Sequence, residues 1–138
     1  MQTTTVLVVE DSEVLRRVMT LVLQGRGYRV FGTGFGRDAV ELARRHRPDA
    51  VTLELALGDT DGRDVLRRLK QDPITERIPI IVLSAFADAL NPAERWYAAD
   101  VLAKPFDVDE LLRRLRRVLT PARLDPSEEH DWRPRAAS

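Results

Sequence analysis

Five short apolar or β-branched runs alternate with five segments of helical period, and that alternation predicts an α/β fold, an open parallel sheet with helices on both faces. Two of the runs, Thr5 to Val9 and Ile78 to Ser84, are almost continuously apolar. Strands covered on both faces have that composition, whereas a half-exposed strand alternates. Each such run is far too short to span a bilayer.

Thr5 to Val9 (TVLVV) opens the chain as the first strand. Ser12 to Gln24 follows as a helix, with Leu15, Val18, Met19 and Val22 on one face, and Gly25-Arg26-Gly27 stops it. Tyr28 to Thr33 is the second strand. Arg37 to His46 is the second helix, with Ala39, Val40, Leu42 and Ala43 apolar, broken at Arg47-Pro48-Asp49. Ala50 to Leu55 (AVTLEL) is the third strand, and the polar loop Gly58-Asp59-Thr60-Asp61-Gly62 leads into a helix from Arg63 to Gln71. Ile78 to Ser84 is the fourth strand. Asn91-Pro92-Ala93-Glu94 reads as an N-cap, a proline at the first helical position and a capping-box acid. That helix has room for barely two turns before the fifth strand, centred on Val101 to Ala103, and Ala85 to Leu90 is left as loop. Asp107 to Leu119 is the last helix, with Asp107 as cap, Glu110 three residues on and a Phe106–Leu111 staple.

A chain of 138 residues is one domain, large enough to bury a core without staples. It has no cysteine, which excludes disulfides, thiolate zinc sites and a cysteine nucleophile. Acids and bases balance at 22 each, so no overall field draws the protein to nucleic acid or to a membrane. The start, Met1-Gln2-Thr3, lacks a charged leader, and the expected setting is cytoplasmic. The stretch 121–138 carries Pro121, Pro126, Pro134 and mixed charge without an apolar face. It reads as a disordered tail or severed linker after a domain of residues 1–120, with Trp132 its one candidate anchor.

Ligands of open α/β sheets bind beyond the carboxyl ends of the strands. Glu10 and Asp11 end the first strand, Glu54 lies near the end of the third, Ser84 ends the fourth and Lys104 follows the fifth. Three carboxylates, a hydroxyl and an ammonium suit a divalent cation with a phosphoryl group. Stacked carboxylates repel, so at least one should have a raised pKa unless a cation is bound. In a chain that is 32% charged, any one of these residues alone is ordinary loop charge; the set at successive strand ends is not.

These stretches, with Pro48 to Leu55, Asp61-Gly62, Ile78 to Ala85 and Leu102-Ala103-Lys104-Pro105-Phe106, resemble the receiver domain of bacterial response regulators, the CheY-like family, from about Thr4 to Leu119. The resemblance implies a doubly wound, flavodoxin-like (βα)5 sheet with strand order 2-1-3-4-5. It implies that Glu10 and Asp11, with Glu54 and the backbone carbonyl of Ala56, would hold Mg2+. It implies that Glu54 stands at the phosphoacceptor position, that Lys104 and Ser84 contact the phosphoryl group, that Val101 occupies the switch position, and that Pro105 follows a cis peptide bond.

Three positions depart from the family pattern. Glu54 replaces an aspartate and lengthens the arm by a methylene; a misplacement of about 1 Å can cost ~100-fold in rate. The longer arm can also turn its carboxylate toward Lys104 and Ser84, in partial imitation of an attached phosphate. Val101 replaces an aromatic ring with a side chain that has one main rotamer. The fourth helix is short, on the face where the family presents its output surface.

The expected function is therefore a two-component receiver domain that is atypical, phosphorylation-independent or locked in one state, acting through protein–protein contacts and not as an enzyme. Mg2+ binding is expected to be weak. The expected partners are a sensor histidine kinase or a downstream effector, with a homodimer through the fourth helix, fifth strand and last helix as a further arrangement, and neither nucleic acid nor membrane bound directly. A conventional phosphoacceptor in a His-Asp phosphorelay is the alternative. A metal-dependent phosphoryl-transfer enzyme using Asp59-Thr60-Asp61 is a third reading, weakened by the absence of a glycine-rich phosphate loop. Arg113, Arg114, Arg116 and Arg117 on the last helix read as a solvated basic face or a docking face for an acidic partner.

Overall fold

Alternate side chains of each strand point to opposite faces of a sheet, and here both faces are covered. The computed structural model describes residues 3–85 and 90–120. Its elements run β1 (Thr5–Val9), α1 (Glu13–Gly25), β2 (Arg29–Thr33), α2 (Gly36–His46), β3 (Ala50–Glu54), α3 (Gly62–Gln71), β4 (Ile80–Ser84), α4 (Pro92–Tyr97), β5 (Asp100–Ala103) and α5 (Val108–Leu119). The strands form one parallel sheet in the order β2-β1-β3-β4-β5. The expected α/β class and strand order are those observed. The expectations for 121–138 and Trp132, and for most of the loop 85–90, fall outside the described residues.

The sheet divides two apolar layers. Val6 and Val8 of β1, Ala50, Ile81, Leu83 and Leu102 pack on Met19 and Leu23 of α1 and on Leu111, Leu112 and Leu115 of α5. Leu7 and Val9 of β1, with Val51, Leu53, Ile80 and Val82, pack on Ala39 and Ala43 of α2 and on Val65, Leu66 and Leu69 of α3. Each fully buried leucine or isoleucine contributes about 1.5–3 kcal/mol through area removed from water. Thr52 is the polar exception in β3, and its buried hydroxyl has no hydrogen-bond partner among the described residues.

Local chemistry starts and stops the helices. Ser12 caps α1 by accepting from the Leu15 amide at 3.2 Å, and Gly27 takes φ +92° in the turn that follows. The α1 face differs in part from expectation: Val18 is 41% exposed, and Leu23, one turn on, enters the core instead. Asn91 and Glu94 form the capping box expected at α4. At α5 the expected box is absent. Asp107 caps by accepting from the Asp109 amide, while Glu110 turns along the helix to Arg113 and Arg114, where two guanidinium groups outcompete one backbone amide.

Candidate functional site

The strand ladders continue past the strands and place the site. The Glu10 amide donates to the Thr33 carbonyl at 3.0 Å, and the Lys104 amide donates to the Ser84 carbonyl at 2.9 Å. Glu54, Ser84 and Lys104 thus lie side by side at the carboxyl edge of the sheet, with Glu10 at the end of β1. The Arg16 guanidinium donates to the Glu10 carbonyl at 2.7 Å and so steadies the turn into α1.

Lys104 is the centre of the arrangement. Its Nζ donates to Glu10 Oε1 at 2.9 Å and pairs with Glu54 Oε1. The other oxygen of each carboxylate is also taken. Glu10 Oε2 accepts from the Ser12 amide at 3.1 Å, and Glu54 Oε2 accepts from the Ala56 amide at 2.9 Å. Glu10 is only 1% exposed and Glu54 4%. Burial raises the pKa of Glu10, against the lowering effect of its bonds to Lys104 and Ser12. Burial also works against the charge on Lys104, but the bonds to Glu54 and Glu10 outweigh it and hold the ammonium above the ordinary lysine value. The pocket is an ion triad in which each carboxylate oxygen already has a protein donor.

The remaining expected residues fall as follows. Asp11 is solvent-exposed beyond β1. Ser84 is buried at the end of β4. Val101 is partly buried and packs on the α2–α3 side of the core, with no ring to rotate. The Lys104–Pro105 peptide bond is cis. Ala56 forms an isolated bridge with Asp61. The Asp59-Thr60-Asp61 pair serves other purposes: Asp59 accepts from the Gly36 and Arg37 amides at the start of α2, and Asp61 caps α3 and pairs with Arg63. That use leaves no acid pair for the phosphoryl-transfer reading. Arg114 is not a solvated residue either, since it bonds Glu110, Asp100 and the Val101 carbonyl along β5.

Of the expected metal set, Glu10 and Glu54 meet through Lys104, and Asp11 is exposed. Among the described residues, no group of three or more histidine, aspartate or glutamate side chains is placed to hold a metal ion. Hard divalent cations need several free oxygen ligands. Here the ammonium of Lys104 stands between the two buried carboxylates. Among the described residues, no helix is long and apolar enough to cross a membrane.

What sequence reading missed is the set of contacts that close this end of the molecule. The pairing of Glu54 with Lys104 is expected from the longer arm, but neither the second bond of Lys104 to Glu10 nor the capping of α2 by Asp59 has a local signal, since their partners are 94 and 22–23 residues apart.

Residues 6–116 match the family model for the response regulator receiver domain. The chain is 36% identical over 121 residues to TcrX of Mycobacterium tuberculosis, described as a probable transcriptional regulatory protein, covering 86% of this chain and 50% of TcrX. It is 34% identical over 118 residues to the response regulator ArlR of Staphylococcus aureus, covering 84% of this chain and 52% of ArlR. The chain therefore spans about half the length of the curated relatives it matches. Among solved structures, the receiver domain of a Pseudomonas aeruginosa sensor histidine kinase, described with a magnesium ion coordinated in its active-site cleft, is similar at 34% identity and TM-score 0.74, covering 86% of this chain and 98% of that one.

Proposed function

The chain belongs to the response regulator receiver family, and from that premise we propose that it works as a receiver-type interaction module with a self-neutralised acid pocket, holding one surface state without phosphorylation of Glu54. One observation carries this reading: Lys104 is bonded to both Glu10 and Glu54, while the Ala56 amide holds the second oxygen of Glu54. A carboxylate that attacks phosphorus needs a free lone pair in line with the leaving group, and charge neutralisation by cations. Both Glu54 oxygens are already drawn into fixed contacts, so reaching an in-line position requires giving up at least one of them. With its longer arm it already engages the lysine and the amide that a phosphoryl group on this residue would address.

Val101 points the same way. A ligand shifts an equilibrium only through an element that has two states for it to distinguish. A valine on a half-buried strand has little to choose between. The partners of such a module are proteins of the two-component system, a sensor histidine kinase or an effector, meeting a fixed surface. Mg2+, which the Pseudomonas relative coordinates, binds weakly at most here, because it must displace Lys104.

Incubation with Mg2+ and a small-molecule phosphodonor, read by intact mass and by hydrogen exchange, tests the proposal. The native chain should show no stable phosphoryl mass gain and no change in exchange at α4, β5 or α5. Glu54→Asp should regain the mass without fully regaining a surface change. Efficient phosphorylation of the native chain with altered exchange at α4 would return it to the conventional phosphorelay.

A further inference from the structure

α4 is six residues long, and isolated helices shorter than about 12 residues do not hold themselves together in water. What holds this one is Glu94, which is only 5% exposed and bonded at both carboxylate oxygens. Its Oε1 accepts from the Asn91 amide at 3.0 Å and closes the capping box. Its Oε2 pairs with the guanidinium of Arg67 on α3. Arg67 also pairs with Asp64 on its own helix, which fixes the fork from the other side. One turn further along α3, the Gln71 amide donates to the Tyr97 hydroxyl at 3.3 Å.

α3 is itself seated on the acid pocket. A Cβ on Gly62 would lie 2.5 Å from the Leu55 Cα and 2.6 Å from the Glu54 carbonyl oxygen, so the first turn of α3 rests directly on the end of β3. Gly62 and Arg67 are five residues apart in one helix, about 7.5 Å along its axis. A helix that short moves as a rod.

We propose that α3 fixes α4: Arg67 is a positioning residue that pins Glu94, and through the seat at Gly62 the pin ties the α4 surface to the backbone of Glu54. This rests on the reading that the domain presents a fixed surface, and it names the element that fixes it. The route runs through α3 and bypasses Val101 on β5. Trp96, 75% exposed on α4, is the side chain whose placement the pin sets.

Hydrogen exchange on the full chain, without phosphodonor or Mg2+, tests the pin. R67A and E94Q should each speed exchange of the α4 amides about tenfold, with β1 and β3 unchanged. Glutamine retains the capping-box bond at this position, so E94Q removes the ion pair alone. The R67A/E94Q double variant should exchange no faster than the faster single, because both break one interaction. R67K should recover only part of the protection, since Arg67 reaches Glu94 and Asp64 with two separate nitrogens of a planar fork, and a lysine presents only one nitrogen. G62A, which lifts the first turn of α3, should loosen α4 although α4 itself is untouched. Unchanged α4 exchange in R67A and E94Q, or additive effects in the double variant, would overturn the pin. Loosening in R67A without loosening in a folded G62A would overturn the tie to Glu54. No phosphodonor is present, so these outcomes are independent of whether Glu54 accepts phosphate.

Discussion

Lys70 and Lys104 are the only lysines of the chain, and its other cationic side chains at neutral pH are arginines. Arginine is a planar fork, whereas an ammonium is a compact point charge with three donors. Here the compact ammonium sits between two buried carboxylates and donates to both. Removing one partner of a buried ion pair strands the other charge, typically at 3–5 kcal/mol. Lys104→Met strands two, so it should cost about 3 kcal/mol or more at neutral pH by urea unfolding. The pH dependence follows from Glu10. A carboxyl group whose folded pKa lies above its unfolded value contributes stability below the unfolded pKa and loses it as pH rises through the folded one. Burial already raises Glu10 with Lys104 present, and without the lysine the rise is larger. The variant should therefore lose stability more steeply than the native chain as pH rises above the ordinary glutamate value. Equal slopes would mean that the ammonium does not neutralise the pocket. For Lys104 itself, whose pKa is raised, the pair's contribution is complete below the ordinary lysine value and is lost only as pH climbs through the raised one.

At the scale of elements, the contacts between helices and loops decide which ends are firm. α2 begins at Phe35, whose side chain offers no acceptor, and Asp59 supplies the cap from the β3–α3 loop. The Arg37 and Gly36 amides hold Asp59 below the usual aspartate pKa. A depressed carboxyl pKa contributes stability above the unfolded value and loses it as pH falls through the folded one. Asp59→Ala should thus speed exchange in the first turn of α2 at neutral pH, and the difference from the native chain should vanish in acid. A difference that persists in acid would assign the effect to the backbone of the loop. This cap also shows where sequence reading stops. The Asn91–Glu94 box was legible because its partners are three residues apart and face each other by helix geometry. The same reasoning at Asp107–Glu110 failed, because Arg113 and Arg114 lie three and four residues beyond Glu110 and compete for it. Asp59 to α2, Arg67 to Glu94 and Lys104 to Glu10 join residues distant in sequence, and no periodicity encodes them. The strands were legible to within two residues, because burial on both faces writes itself as unbroken apolar runs.

At the scale of the molecule, the two apolar layers end together at the carboxyl edge of the sheet, where Glu10 and Glu54 sit in low-dielectric surroundings and need a positive charge. The Pseudomonas relative is described with a magnesium ion in its cleft; in this chain Lys104 bridges the two carboxylates. A bound ion and a resident lysine differ in linkage. An ion that binds the native state stabilises it by RT ln(1 + [L]/Kd), about 1.4 kcal/mol at a concentration ten times Kd. For a domain of this size that is roughly 5 °C in Tm. A protein that carries its own cation gains nothing from the ion until the lysine is displaced. Thermal unfolding of the native chain in about 10 mM Mg2+ should therefore match that in a monovalent salt of equal ionic strength to within about 1 °C. Lys104→Met provides the contrast. With the ammonium gone, the Glu10 and Glu54 carboxylates are left without their shared partner, and Mg2+ should recover part of the lost Tm. A rise of about 5 °C in the native chain would show that the ion displaces Lys104 readily and that the pocket is open to divalent cations after all. No recovery in a folded Lys104→Met variant would show that the carboxylates cannot turn toward a metal even when free.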